Sequence, residues 1–214
     1  MSQQKTPHST EQRIVEAAKT LFLTQGFNKT SVRQIVADAG VTTGSLYHFF
    51  SGKDDMLKAI VSEYLAVLYE VSEQKTQATQ GKPYMPFFYE LTLFLRLINS
   101  KKNLRDLMAR ATDSIAVADS IVESRTALLQ QWFSAFNPQF THRDYYHRAI
   151  FVKGMMRSIL MYKIAHPFEH IDEQLHLLTE TCAKMFNVPE DEFAAIYQQI
   201  RAVTDDDLPD LGEV

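Results

Sequence analysis

Residues 30–53 read TSVRQIVADAGVTTGSLYHFFSGK, and the architecture of the chain follows from how this stretch folds. Val32, Ile35, Val36 and Ala39 recur at helical spacing. Thr30 or Ser31 stands where a helix cap is needed. Gly40 ends this helix with a residue that enters the left-handed backbone region at no steric cost. A second short helix begins at Thr42 or Thr43 and ends near Phe50, and Val41 pins the turn between the two. The inner faces Ile35/Val36/Ala39 and Leu46/Phe49/Phe50 are expected to close on Ile14, Ala18 and Leu21 of a preceding helix. That arrangement is a helix-turn-helix, whose second helix can lie in the major groove of DNA.

The residues left outside carry the chemistry. The outer face of the second helix would present Thr42, Thr43, Gly44, Ser45, Tyr47 and His48: small hydroxyls, a glycine that permits close approach and two hydrogen-bonding rings. No acid lies among them, and acids return only at Asp54 and Asp55. Free N–H groups at a helix N-terminus favour a phosphate. Lys53 adds a cation for the backbone of the nucleic acid, and Arg33, on the outer face of the preceding helix, can reach a guanine edge.

Working outward, apolar residues keep a helical period almost throughout, and no segment alternates with period two for long. Nine or ten helices are expected. The first runs from about 10 to 25, with Ser9 and Gln12 as a capping box and Gly26 as its stop. A long helix from 53 or 54 to about 75 carries Met56, Leu57, Ile60, Tyr64, Leu65, Leu68 and Val71 on one face. The polar stretch 74–83 is expected to be a loop. Further helices are expected at about 86–99, 103–113, 114–136, 141–165, 168–187 and 190–203. The predicted fold is therefore all-α: a helix-turn-helix domain over 1–53 with a polar arm at 1–8, a helical bundle over 54–203, and an acidic, disordered tail over 204–214.

The chain has 214 residues, 45% hydrophobic and 22% charged, which excludes a disordered or collagen-like polymer. One cysteine, Cys182, excludes an internal disulfide framework. No run approaches the roughly 18 apolar residues of a membrane span, and the polar start lacks the apolar stretch of a signal peptide, so a cytoplasmic location without membrane contact is expected. The net charge of −4 is unevenly spread. Residues 1–60 hold seven Lys/Arg against five Asp/Glu, and the remainder holds 15 against 21. A mildly basic front and an acidic body suit a protein whose front alone meets phosphates.

Residues 10–58 resemble the DNA-binding domain of the TetR family of bacterial one-component transcriptional regulators. The resemblance rests on Ala17-Ala18, Leu21-Phe22, Gly26-Phe27, Thr30, Ile35, Ala39-Gly40-Val41, the run Gly44-Ser45-Leu46-Tyr47-His48-Phe49-Phe50, Lys53 and Asp54-Asp55-Met56-Leu57. Val36 departs from the alanine usual there. The resemblance covers about a quarter of the chain. It implies groove contacts from Thr43, Gly44 and Tyr47, a base contact from Arg33, and phosphate contacts from Thr30, Thr42, Ser45, His48 and Lys53, with Ser31 beside them. It also implies a homodimer on a palindromic DNA operator, probed by a small-molecule ligand in the C-terminal domain, and a repressor that this ligand releases.

The body can be read two ways at two places. Phe87, Phe94, Met108, Trp132, Phe133 and Met155 either line a cavity for a largely apolar effector or fill an ordinary core. Ile171, Leu175, Leu178 and Cys182 form a heptad seam, and Ile150, Gly154 and Met161 a second apolar face on the preceding helix. Together they make either a homodimer interface or one subunit's core, and the resemblance favours the dimer. His142 and His147 are out of phase on a helix, and Pro167 separates His166 from His170, so no metal site or cofactor is expected. No nucleophile elbow, phosphate-binding glycine loop or paired catalytic acids are present, which speaks against an enzyme. The alternatives that remain are a DNA-binding regulator controlled by protein partners or abundance and, remotely, an all-helical enzyme.

Overall fold

The computed structural model describes residues 9–166 and 171–211. Among them lie ten α-helices: α1 Thr10–Thr24, α2 Val32–Ala39, α3 Thr43–Phe49, α4 Lys53–Ala78, α5 Met85–Ser100, α6 Lys102–Asp113, α7 Ile115–Phe133, α8 His142–Ala165, α9 Ile171–Met185 and α10 Glu190–Arg201. The polar arm expected at 1–8, the start of the helix expected at 168–187, Pro167 and His170 lie outside the described residues.

Local chemistry sets the ends of the first helices. Ser9 accepts from the Gln12 N–H while Gln12 returns a bond to the Ser9 N–H, the reciprocal capping box. Ser31 and Gln34 repeat it at the start of α2. Gly40 takes φ 62°, ψ 40°, and the Val41 N–H bonds back to the Val36 carbonyl, which turns the chain within two residues. Ile14, Ala18, Ile35, Leu46, Met56 and Leu57 are fully buried and close the small front domain.

α4 has 26 residues, roughly 39 Å at 1.5 Å per residue. It packs on α1 near its start and on α5 and α7 further along, so it is a continuous element of both domains. α5 is apolar around nearly its whole girth, with Met85 to Leu93 buried without a break. Such a helix must be enclosed on all sides, and α4, α6, α9 and α10 enclose it. A cluster of rings sets its register: Phe133 stacks on Phe186 at 4.2 Å, and Phe87 meets both edge-on.

Two expectations about chain ends differ from the fold. The polar stretch from Gln74 continues α4 to Ala78 because its side chains have partners: Thr76 is buried, and the Lys75 ammonium pairs with Asp207 at 2.6 Å. The acidic tail, expected to be disordered, turns back onto the bundle over 205–211. Asp205 faces Arg96 at 3.6 Å, and Leu211 is buried. Charge alone suggested solvation; cations on α4 and α5 supply the counter-charges.

Candidate nucleic-acid interface and the cavity behind it

α3 is held from one side only. Leu46 is its single buried residue, with Phe50 buried just beyond its end. Thr42 caps the helix by accepting from the Ser45 N–H at 3.1 Å, and its hydroxyl lies 2.9 Å from the Ser45 hydroxyl. Thr42, Thr43, Gly44, Tyr47 and His48 face solvent, with Tyr47 55% exposed. A Cβ added at Gly44 would meet only the Thr42 Oγ1 at 3.9 Å. The glycine is therefore not required by the protein's own packing, and the space it leaves opens outward. Arg33 is exposed on α2, and nothing among the described residues pairs with it. Ser31 is exposed too, its hydroxyl donating to Gln34 at 2.8 Å.

Three front-domain residues sit differently from expectation. Phe49, assigned to the inner face, is 42% exposed and packs edge-on against His48 at 4.9 Å. Leu46 and Phe50, four residues apart, take the inward positions, and Phe49 is left at their edge. Thr30, expected at a phosphate, is buried; its hydroxyl donates to the Gly26 carbonyl at 2.9 Å and lies 3.3 Å from the Leu21 carbonyl. Lys53, also expected at a phosphate, donates to the carbonyls of Phe27 and Thr30, each at 2.7 Å, and lies 4.4 Å from the Phe27 ring centroid. Desolvation, with Arg110 nearby, holds its pKa below the usual lysine value against the opposing pull of Asp54. Both residues fasten the α1–α2 loop onto the start of α4.

That loop also meets α6. The Arg110 guanidinium of α6 lies 4.5 Å from the Phe27 ring centroid and donates to Asp54 at 3.3 Å. The Phe27 ring thus has two cations within 4.5 Å of its centroid, Lys53 and Arg110.

Behind this contact is a cavity of about 130 Å³, far more than the roughly 10–15 Å³ one water needs. Of the residues named from the sequence, Phe87, Phe94, Met108 and Trp132 line it. Phe133 and Met155 do not: Phe133 is buried in the ring cluster, and Met155 points elsewhere on α8. Composition hid four charged lining residues, Glu90, Arg125, Lys153 and Arg157. Arg125 Nη1 donates to both Glu90 carboxylate oxygens, at 2.9 and 3.2 Å, and its Nη2 donates to the Leu65 carbonyl. A glutamate in an apolar run and an arginine 35 residues later have no periodic signature that joins them. Met108, Ala111 and Thr112 place the cavity on one side of α6, while Arg110 leaves from another.

α8 divides its faces the same way. Ala149, Val152, Lys153, Met156 and Leu160 line the cavity. Ile150, Phe151, Gly154, Met161 and Tyr162 form an exposed apolar stripe on the other side, with Phe151 66% exposed. On α9 the expected interface needs correction. Leu175, Leu178 and Cys182 are 2%, 4% and 0% exposed within a single chain, and Ile171 is half-buried. That seam packs inward on α5, and Leu177, 64% exposed, is the apolar residue α9 shows to solvent.

Among the described residues, no group of three His, Cys, Asp or Glu side chains gathers closely enough to hold a metal, and no helix is long and apolar enough to cross a membrane.

A capped α2, a left-handed glycine turn and a short α3 displayed on a helical bundle form a helix-turn-helix within an all-α fold. Residues 14–60 match the family model for bacterial regulatory proteins of the tetR family. It is 32% identical over 102 residues to the Transposon Tn10 TetC protein of Escherichia coli, covering 48% of this chain and 51% of that one. It is 35% identical over 63 residues to the HTH-type transcriptional repressor KstR2 of Mycolicibacterium smegmatis, covering 29% and 31%. These matches thus span about half and about a third of the relatives' lengths. The fold is like that of E. coli NemR in its reduced form, with TM-score 0.52 and 20% identity over 80% of this chain and 95% of the other.

Proposed function

We propose that this protein is a transcriptional repressor that binds a palindromic operator as a homodimer and lets go when a small molecule occupies the cavity. The observation that carries the reading is α3: a helix anchored by Leu46 alone, whose exposed side offers hydroxyls, an aromatic phenol, an imidazole and an uncrowded glycine, without an acid. Thr43, Gly44 and Tyr47 are its groove contacts, and Arg33 is a base contact from α2. Thr42, Ser45, His48 and Ser31 serve the phosphates. Thr30 and Lys53 act indirectly, by holding the loop that presents α2. The repressor named among the relatives supports the sign of regulation. Its chemistry is recognition rather than catalysis, and its place is the bacterial cytoplasm, where the DNA is.

The two-fold partner covers the exposed stripe of α8 together with Leu177 of α9. Two α3 helices then address half-sites about one DNA turn, roughly 34–36 Å, apart. Control requires a ligand that binds one spacing of the two front domains better than the other. Two elements carry that difference. α4 runs through both domains, and α6 touches the cavity with Met108 and the front domain with Arg110.

The test is selection of DNA from a random pool by the purified protein, followed by titration of the enriched sequence at several salt concentrations. A palindrome is expected, with affinity falling by about 0.9 log units per log unit of salt for each phosphate neutralised. Tyr47→Ala should abolish enrichment. Absence of any enriched sequence at low salt, with the protein folded, would overturn the proposal.

A further inference from the structure

The charges around the cavity do not balance, and the imbalance specifies what fits inside. Its wall carries one carboxylate, Glu90, and three cations, Arg125, Lys153 and Arg157. Glu90 is already held by Arg125, whose Nη1 donates to both carboxylate oxygens. Arg157 is shared, donating to Asp113 at 2.9 Å and lying 3.5 Å from the Thr112 hydroxyl. Lys153, one helical turn before Arg157 on α8, is half-buried, and nothing among the described residues pairs with its ammonium. A second donor is also unanswered: the Trp132 indole N–H is buried with no acceptor. The remaining wall, including Leu65, Leu68, Phe94, Met108 and Leu129, is apolar.

Each ligand class faces a different cost. A cation would enter beside Lys153 and Arg157 and would have to take Glu90 from Arg125, leaving a buried guanidinium unpaired. A neutral apolar molecule would further desolvate Lys153 and bring it no counter-charge. A dianion finds only one cation uncommitted. An anion of single charge with an apolar body pairs with Lys153, has Arg157 within a turn, and leaves the Glu90–Arg125 pair intact. We infer that the effector is a monoanionic amphiphile of the carboxylate class, its head against Lys153 and its apolar body between α5, α6 and α7.

This inference rests on the cavity's being the effector site, so its test reads binding without DNA. Trp132 is the chain's only tryptophan and lines the cavity, so its emission reports occupancy. The full-length protein is titrated with decanoate, decanol and decyltrimethylammonium, which share one tail and differ in charge. Decanoate is expected to shift the emission saturably and to bind about tenfold or more tighter than decanol, as a charge-assisted contact implies. The cation should bind more weakly than either. Lys153→Met should erase most of decanoate's advantage while leaving decanol unchanged, and Lys153→Arg should keep it. No saturable binding of decanoate, equal or tighter binding of decanol or the cation, or an unchanged preference in Lys153→Met would overturn the inference. Operator release is measured in parallel. Decanoate that binds without releasing DNA upholds the ligand class and defeats ligand control, whereas release by the cation alone does the reverse.

Discussion

Replacing Phe151 by glutamate should split the proposed dimer while leaving each subunit folded. Phe151 is 66% exposed in the single chain. An aromatic side chain offers roughly 150–250 Å² for burial, so about 130 Å² per subunit awaits cover. At ~25 cal/mol per Å², that is about 3 kcal/mol. A two-fold interface uses the same residue twice, so full cover would give about 6 kcal/mol. If the partner covers only half of this area, about 3 kcal/mol is lost, and the dimer weakens at least about 100-fold. The carboxylate adds a desolvation cost in the same direction. Sedimentation velocity across a wide protein concentration range reads the effect, with helical content followed by circular dichroism. A Phe151→Glu protein that remains dimeric at the same concentrations would refute the assignment of this face.

Further outcomes follow from the same geometry. Leu178→Ala should cost about 2–5 kcal/mol of stability, as for other buried leucines, without changing the oligomeric state; a folded, stable monomer would restore the seam to the interface. Lys53→Met should lower the thermal midpoint, because its ammonium serves two carbonyls at about 2 kcal/mol in total. An unchanged midpoint with a salt slope reduced by about one unit would instead mark a phosphate contact. Gly44→Val should weaken operator binding about tenfold or more with a small change in stability, since the added Cβ meets only Thr42 Oγ1; unchanged binding would remove α3 from the groove. Burial raises the Glu90 carboxyl to about 7, although Arg125 pulls the other way. A carboxyl that takes a proton more readily when folded contributes stability at low pH that is lost as pH rises toward 7. Glu90→Gln should therefore flatten the change in thermal midpoint between about pH 5 and 7, and an unaltered slope would count against the raised value.

The helix-turn-helix was legible because its determinants are local. A capping box needs residues three apart, a left-handed turn needs Gly40, and the α2 face needs apolar residues at steps of three and four. Those forces act within a dozen residues and leave a periodic trace, so the ends of α2 and α3 fall within a residue or two of expectation. The outer face of α3 was legible for the same reason. Periodicity marks a face as apolar without naming what covers it. Leu175, Leu178 and Cys182 form a true seam, yet α5 of the same chain covers it, while the exposed apolar stripe lies on α8. Long-range polar contacts left no trace at all. Thr30 and Lys53 carry the right chemistry for phosphates, but the loop from Gly26 to Thr30 folds over them and takes their donors. Glu90 finds Arg125, and Lys75 finds Asp207, across distances in the chain that no pattern spans. The sequence by itself determined the helices, their caps and the acid-free outer face of α3, because each depends on neighbours along the chain. Which apolar faces are shared, which cations are spent inside and which charge the cavity leaves unanswered were decided only by tertiary structure, because a buried polar group takes whatever partner packing brings within hydrogen-bond reach.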